Sequence, residues 1–173
     1  MKKVNLFIAM SLDGYIADSK GSVSWLAGQG NDDDNIDSYS KFVNDIDTVI
    51  MGWNTYHQII TELSPDEWVY HDFTTYVITH HPKISSDKIH FTNECPVELV
   101  KKLREENGKG IWICGGANLI QQLVKKDVID CYYITVIPTI LGSGIRLFEK
   151  AVHEIKLKLL NTQSYNGMTD LIY

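Results

Sequence analysis

No run of apolar residues in this sequence approaches the roughly 20 needed to cross a bilayer as a helix. The stretch after Lys2 and Lys3 is interrupted by Asn5, Ser11 and Asp13, too short and polar for the apolar part of a secretion signal. Cysteine is scarce: Cys95, Cys114 and Cys131 are odd in number and form no Cys-x-x-Cys pair. That signals neither a disulfide framework nor a cysteine zinc site, and reduced thiols fit a cytoplasmic protein. Positive charge is in deficit, with 16 Lys and Arg against 22 Asp and Glu, a net charge of −6. Such a balance argues against a general binder of nucleic acid or membrane surfaces. None of the six histidines sits in a His-Glu-x-x-His spacing, so no metal is expected. There is no Gly-x-Ser-x-Gly elbow for serine hydrolysis, and no Rossmann Gly-x-Gly-x-x-Gly or Walker loop.

What is present is ordinary for a globular domain. Apolar residues make up 44% of the 173 and charged residues 22%, enough for one core without staples. Short apolar runs at Val4 to Met10, Thr48 to Met51, Tyr76 to Thr79 and Ile111 to Cys114 lack helical spacing and predict buried strands. A shorter strand is predicted at Ile89 to Thr92 and a long one at Ile129 to Pro138. Between them, helices are predicted over about 34–45, from Asn54 or Thr55 to Glu62, from Pro96 to about Asn107, and after Gly115-Gly116. Asn166-Gly167 predicts a closing hairpin of Ile155 to Tyr165 with Met168 to Tyr173. Strands and helices alternate, then strands dominate. This predicts an α/β sheet, parallel at first with an antiparallel C-terminal edge, in a single domain over 1–173.

Several junctions have the chemistry of ligand sites. Ile111 to Asn118 delivers a buried strand through Gly115-Gly116 into a helix. Either the backbone there cradles a phosphate, or the glycines make a tight turn. Gly52-Trp53-Asn54-Thr55 is a second strand-to-helix junction, where Asn54 and Thr55 either meet a ligand or cap the helix. Ser11-Leu12-Asp13-Gly14 places a carboxylate just after the first strand, and Leu141 to Gly144 is a glycine loop that touches a ligand or reverses the chain. Asp32, Asp33 and Asp34 suit the N-terminus of the first helix. His80-His81 before Pro82 reads as a surface turn.

Taken in order, these segments resemble a known group. Ser11 to Ala17, Trp25, Asp47 to Gly52 with Asn54 to Tyr56, Gly115-Gly116, and Ile137-Pro138 through Leu141 to Ile145 with Leu147-Phe148 span nearly the whole chain. The pattern looks like the bacterial dihydrofolate reductase-like family, which shares its fold with the reductase domain of riboflavin biosynthesis. The resemblance implies a three-layer α/β sandwich about a mostly parallel sheet of about eight strands, with antiparallel C-terminal strands and helices on both faces. It implies a hydride transfer from a reduced nicotinamide to a small heterocycle, a pyrimidine or a pteridine, in a homodimer.

The resemblance also implies site residues. Gly52, Trp53, Asn54 and Thr55 would meet the cofactor at one junction, and Gly115, Gly116, Ala117 and Asn118 at the other. Ala9, Asp13 and Ile16 would line the nicotinamide side, beneath a loop around Trp25. Asp13 and Asp37 are the expected catalytic carboxylates, Asp37 because it lies nearest the right place counting back from Gly52. NADPH is the implied cofactor. Trp53 and Thr79-His80, however, stand where the family usually has arginines, whose paired hydrogen bonds grip a 2′-phosphate. NADH therefore becomes plausible as well. A protein of the same fold that binds nucleotide without turnover is the alternative function.

Overall fold

The computed structural model describes residues 1–30, 36–149 and 154–173. The aspartates Asp32, Asp33 and Asp34 lie outside the described residues, so the acidic cluster read from the sequence is not placed. The strands are β1 (Val4–Ser11), β2 (Tyr15–Ala17), β3 (Ile46–Gly52), β4 (Thr74–Ile78), β5 (Ile89–Thr92), β6 (Gly110–Gly115), β7 (Cys131–Ile137), β8 (Ile145–Arg146), β9 (Asn161–Tyr165) and β10 (Met168–Ile172). The helices are α1 (Ser38–Val43), α2 (Trp53–Gln58), α3 (Pro96–Arg104) and α4 (Ala117–Lys125). A wide π-type turn, Ile59–Leu63, extends α2.

Eight strands form one sheet in the order β5-β4-β3-β6-β1-β7-β10-β9. The first six are parallel to their neighbours, and β10 runs antiparallel to both β7 and β9. This is the α/β architecture that the alternating pattern predicts.

The apolar runs lack alternation because the sheet is covered on both faces. Along β6, Ile111 and Ile113 pack with Leu99, Leu103, Ile120 and Leu123 of α3 and α4. Between them Trp112 points to the opposite face, among Phe42, Val49, Met51 and Phe73. Ile113, Ile120 and Leu123 have no exposed surface, and each such side chain stabilises by roughly 1.5–3 kcal/mol. A ring cluster fills the second face. Phe7, Tyr39, Phe42, Tyr70 and Phe73 all have centroids within 6.5 Å of the Trp112 indole.

Several boundaries differ from the sequence reading. The α3 helix stops at Arg104 rather than near Asn107, and of the predicted strand Ile155 to Tyr165 only Asn161–Tyr165 forms β9, with the Leu160 N–H donating to the Ile172 carbonyl just before it. Leu157, Leu159 and Leu160 there are exposed. The helix over 34–45 is described only as Ser38–Val43. A small ladder of β2 with β8 was not predicted. It adjoins the Leu141–Gly144 loop, which bonds to Asp13 in the turn after β1 and meets the end of β2, where a Cβ on Gly144 would collide with the Ala17 carbonyl.

Candidate functional site

The six parallel strands end on one edge of the sheet, at Ser11, Gly52, Ile78, Thr92, Gly115 and Ile137. Ligands of open parallel sheets bind outside this carboxyl edge. A groove of about 580 Å³ lies along it, spanning the ends of β6, β3, β4 and β5. Its walls are Gly52 to Asn54, Thr79 to His81, Asn93 to Pro96, and Gly116 to Asn118.

The backbone explains the glycine pair. Gly115 has φ +147°, a conformation L side chains rarely adopt, and the Gly115–Gly116 peptide is cis. A Cβ at Gly115 or Gly116 would stand 3.2 or 3.3 Å from the Thr55 hydroxyl. Thr55 therefore packs directly onto the pair from the neighbouring junction. Gly116 is also the N-cap of α4 and offers no side-chain cap. The first-turn N–H groups of a nine-residue helix thus open onto the groove, where the helix dipole adds positive potential.

The second junction corrects one sequence reading. Asn54 and Thr55 do not cap α2, because that helix starts at Trp53 with Gly52 as its cap residue. Trp53 forms part of the groove wall and carries a shell of basic and aromatic groups. The His81 ring is 4.6 Å from its centroid, His57 5.6 Å and Tyr56 5.7 Å, and the Lys83 ammonium is 5.3 Å away. His80 and His81 are exposed, as a surface turn requires, and both border the groove.

The structure thus brings together Gly52, Trp53, Asn54, Thr79, His80, Gly116, Ala117 and Asn118, with Thr55 and Gly115 abutting them. Ala9 in β1 and Ile16 in β2 are half-buried and do not line this groove. The loop bearing Trp25 is tied down at both ends. Gln58 donates to the Gly21 carbonyl at 3.0 Å, and the Gln29 N–H donates to the Asn166 carbonyl at 2.9 Å.

Neither carboxylate expected to do chemistry is placed as a proton donor. Asp13 accepts from the Ser11 hydroxyl at 2.6 Å, the Gly142 N–H at 2.7 Å and the Leu141 N–H at 3.1 Å. The Ser11 bond above all, aided by the two backbone donors against some desolvation, holds its pKa down at about 2. An ionised, acceptor-only group in that position fastens the β7–β8 loop to the turn after β1. Asp37 is exposed and caps α1, accepting from the Ser40 N–H at 2.9 Å, a bond that also lowers its pKa. Its carboxylate serves the helix rather than the groove.

The sequence reading missed a protic cluster on the α1 face of the same strand ends. The Cys114 thiol donates to the Tyr70 hydroxyl at 3.7 Å. Burial pushes Cys114 up to about 11 and raises Tyr70 strongly. Tyr39 is raised chiefly by burial and then by Cys114. All three stay protonated at neutral pH as neutral hydrogen-bonding groups, and Cys114 lies one residue before Gly115. Alternation in β6 was the available signal, because it sends Cys114 to the same face as Trp112.

A second cavity of about 250 Å³ lies between α1 and the C-terminal hairpin, bordered by Ser38, Lys41, Thr135, Gln163 and Asp170. Among the described residues no helix is long and apolar enough to cross a membrane, and no three His, Cys, Asp or Glu are grouped to hold a metal.

Fold and groove together define a class: a three-layer α/β protein with an open groove along the carboxyl ends of its parallel strands. The chain belongs to the RibD C-terminal domain family, which it matches over residues 2–171. It is 41% identical to the uncharacterised protein YwjB of Bacillus subtilis (strain 168), over 99% of this chain and 97% of that protein. Among solved structures it resembles the "putative riboflavin biosynthesis protein" of Shewanella sp. PV-4, with TM-score 0.86 and 27% identity, covering 99% and 97% of the two chains. It shares the fold of the diaminohydroxyphosphoribosylaminopyrimidine deaminase/5-amino-6-(5-phosphoribosylamino)uracil reductase of Thermotoga maritima, with TM-score 0.70 and 16% identity. That match covers 99% of this chain and 56% of the larger protein. It also shares the fold of Enterococcus faecalis dihydrofolate reductase complexed with NADP(H), with TM-score 0.62 and 17% identity over 98% and 94%.

Proposed function

We propose that this protein is a reductase that moves a hydride from NAD(P)H to a small heterocycle, either a pyrimidine such as 5-amino-6-(5-phosphoribosylamino)uracil or a pteridine. The observation that carries this is the groove at the carboxyl ends of β6, β3, β4 and β5, with an uncapped helix N-terminus and a glycine pair at one end. The residues present fit a nicotinamide dinucleotide. Side chains at Gly115 and Gly116 would press on Thr55, so the glycines keep the backbone bare for close approach. The α4 N–H groups at Ala117 and Asn118 would hold the pyrophosphate, and Thr55 would hold a phosphate oxygen beside it. Trp53 gives the adenine end an aromatic wall. When bound, the nicotinamide supplies the hydride. The chain's contribution is to orient two rings and exclude water, with Ala9 and Ile16 proposed on the nicotinamide side. Tyr39, Tyr70 and Cys114 would present neutral hydrogen-bond donors to the heterocycle.

The homodimer is part of the same proposal. The exposed Leu157, Leu159 and Leu160, just before the edge strand β9, offer an apolar surface for it.

The test follows loss of reduced-nicotinamide absorbance with 7,8-dihydrofolate and with 5-amino-6-(5-phosphoribosylamino)uracil as acceptors. Turnover with either supports the reading and names the ring. A second reading, binding without turnover, is favoured by the engagement of Asp13 and Asp37 in structural bonds. It predicts that calorimetry detects dinucleotide binding while neither acceptor is reduced.

A further inference from the structure

The adenosine end of the groove has an unusual charge for a site that would receive a phosphate. None of the described residues lining the groove is lysine or arginine, and the one carboxylate among them is Glu94. Glu94 is half-buried and follows the last residue of β5 by two positions. Its N–H donates to the Thr92 hydroxyl at 3.1 Å, and its carboxylate pairs with no cation among the described residues. The parallel register Ile78↔Thr92 sets the end of β5 beside the end of β4, so Glu94 faces the same groove as Thr79 and His80.

Sheet order gives the groove a direction. The phosphate-type end is at β6 and α4, and β5 lies three strand spacings away, roughly 14–15 Å. A dinucleotide with its pyrophosphate at α4 lays its adenosine ribose toward β4 and β5. The α3 helix also begins there, but Glu94 and Glu98 bracket its N-terminus and answer the positive end of its dipole with carboxylates. Lys83, a nearby lysine, sits by the Trp53 indole at 5.3 Å and is not part of the lining. The remaining groups there able to carry positive charge are the imidazoles of His80 and His81.

We infer that Glu94 is a specificity-determining residue that selects NADH over NADPH. This rests on reading the groove as a nicotinamide dinucleotide site. A carboxylate accepts two hydrogen bonds from the vicinal hydroxyls of an unmodified ribose. The same carboxylate repels a 2′-phosphate, which would find no guanidinium or ammonium in the groove lining to offset its charge.

The experiment is isothermal titration of the full-length chain with NADH and with NADPH at about pH 8. Wild type is compared with Glu94→Gln, Glu94→Arg and Lys83→Ala, with folding checked by circular dichroism. NADH should bind wild type about tenfold or more tightly than NADPH, the size of one charge-assisted contact. Glu94→Gln should narrow that ratio, Glu94→Arg should reverse it, and Lys83→Ala should leave it unchanged. Equal or tighter NADPH binding by wild type overturns the inference. Loss of such a preference in Lys83→Ala would identify Lys83 as the phosphate reader. An NADH preference that survives Glu94→Gln unchanged also overturns it, while the dinucleotide reading stands. Folded protein that binds neither ligand defeats the dinucleotide reading itself, and Glu94 selection falls with it.

Discussion

Asp170 is the most heavily engaged buried carboxylate in the protein's C-terminal half, and replacing it by asparagine gives a sharp test of the packing described above. Its Oδ1 accepts from the Thr135 hydroxyl at 2.7 Å and the Tyr165 hydroxyl at 3.1 Å. Its Oδ2 accepts from the Ser38 hydroxyl at 2.6 Å and the Gln163 amide at 2.8 Å. The other Gln163 N–H donates to the Ser38 hydroxyl oxygen at 2.8 Å, so five donor hydrogens are all used. Asp170 is 5% exposed, and these four partners are all direct protein donors beside the cavity of about 250 Å³. In Asp170→Asn an amide NH2 must face two donors, whichever way it turns. On the Oδ1 side the two hydroxyl oxygens can rotate to accept, whereas on the Oδ2 side the Gln163 amide cannot. The first orientation is the cheaper one. It still exchanges two charge-assisted hydrogen bonds for neutral ones, a loss of about 1–1.5 kcal/mol each or about 2–3 kcal/mol together. Domains of this kind have about 5–15 kcal/mol of stability in all. Urea unfolding at neutral pH, followed by tryptophan fluorescence and circular dichroism, should place the midpoint correspondingly low with an unchanged slope. Thr135→Val, which removes one donor and leaves the charge partnered, should cost about 1.5–3 kcal/mol. An Asp170→Asn loss under about 1 kcal/mol would refute the reasoning, because it would mean that the carboxylate's charge adds nothing to these hydrogen bonds.

Gly115→Ala puts a side chain at φ +147° and against Thr55. The strain is about 1–3 kcal/mol, so the melting temperature should fall by about 2–12 °C, and dinucleotide binding measured by calorimetry should weaken; an unchanged melting curve would sink this account. Asp13 has a folded-state pKa depressed to about 2. Its stabilisation is therefore complete above the ordinary carboxylate range and is lost as pH falls from about 4 toward 2. Asp13→Asn should flatten the pH dependence of the melting temperature in that window, whereas curves parallel to wild type would show that Asp13 does not hold the loop.

Much of the fold is legible in the sequence because strands buried on both faces leave continuous apolar runs such as Thr48 to Met51 and Ile111 to Cys114. Each is closed by glycine, and each opens a helix, so the carboxyl edge of the sheet is visible before any coordinates. The β2–β8 ladder is not, since strands of three and two residues have no periodicity to detect. Residues 155–159 mislead in the opposite way. Lys156-Leu157-Lys158-Leu159 alternates like a half-buried strand, yet its leucines face outward, because no neighbouring strand takes up its hydrogen bonds. Local pattern reports what a segment is able to do, and pairing decides whether it does.

The site divides along the same line. Gly115, Gly116 and Gly52 announce themselves because a bare backbone between strand and helix is a local feature. Glu94 and Asp170 do not, since each is one acidic residue with no motif around it. Glu94 acquires a role only through the register that aligns β5 on β4, and Asp170 only through the antiparallel pairing that sets β10 between β7 and β9. The two carboxylates that did look chemical, Asp13 and Asp37, stand beside turn and helix-start signals, and that is where their hydrogen bonds go. In a parallel sheet, a residue between the last position of a strand and the first of the following helix lies at the ligand edge whatever its type. Applied to Asn93, Glu94 and Cys95, that rule places them at the β5 end of the groove from the strand boundaries alone. On the proposed dinucleotide reading, the charge there, negative rather than positive, is what would choose between NADH and NADPH.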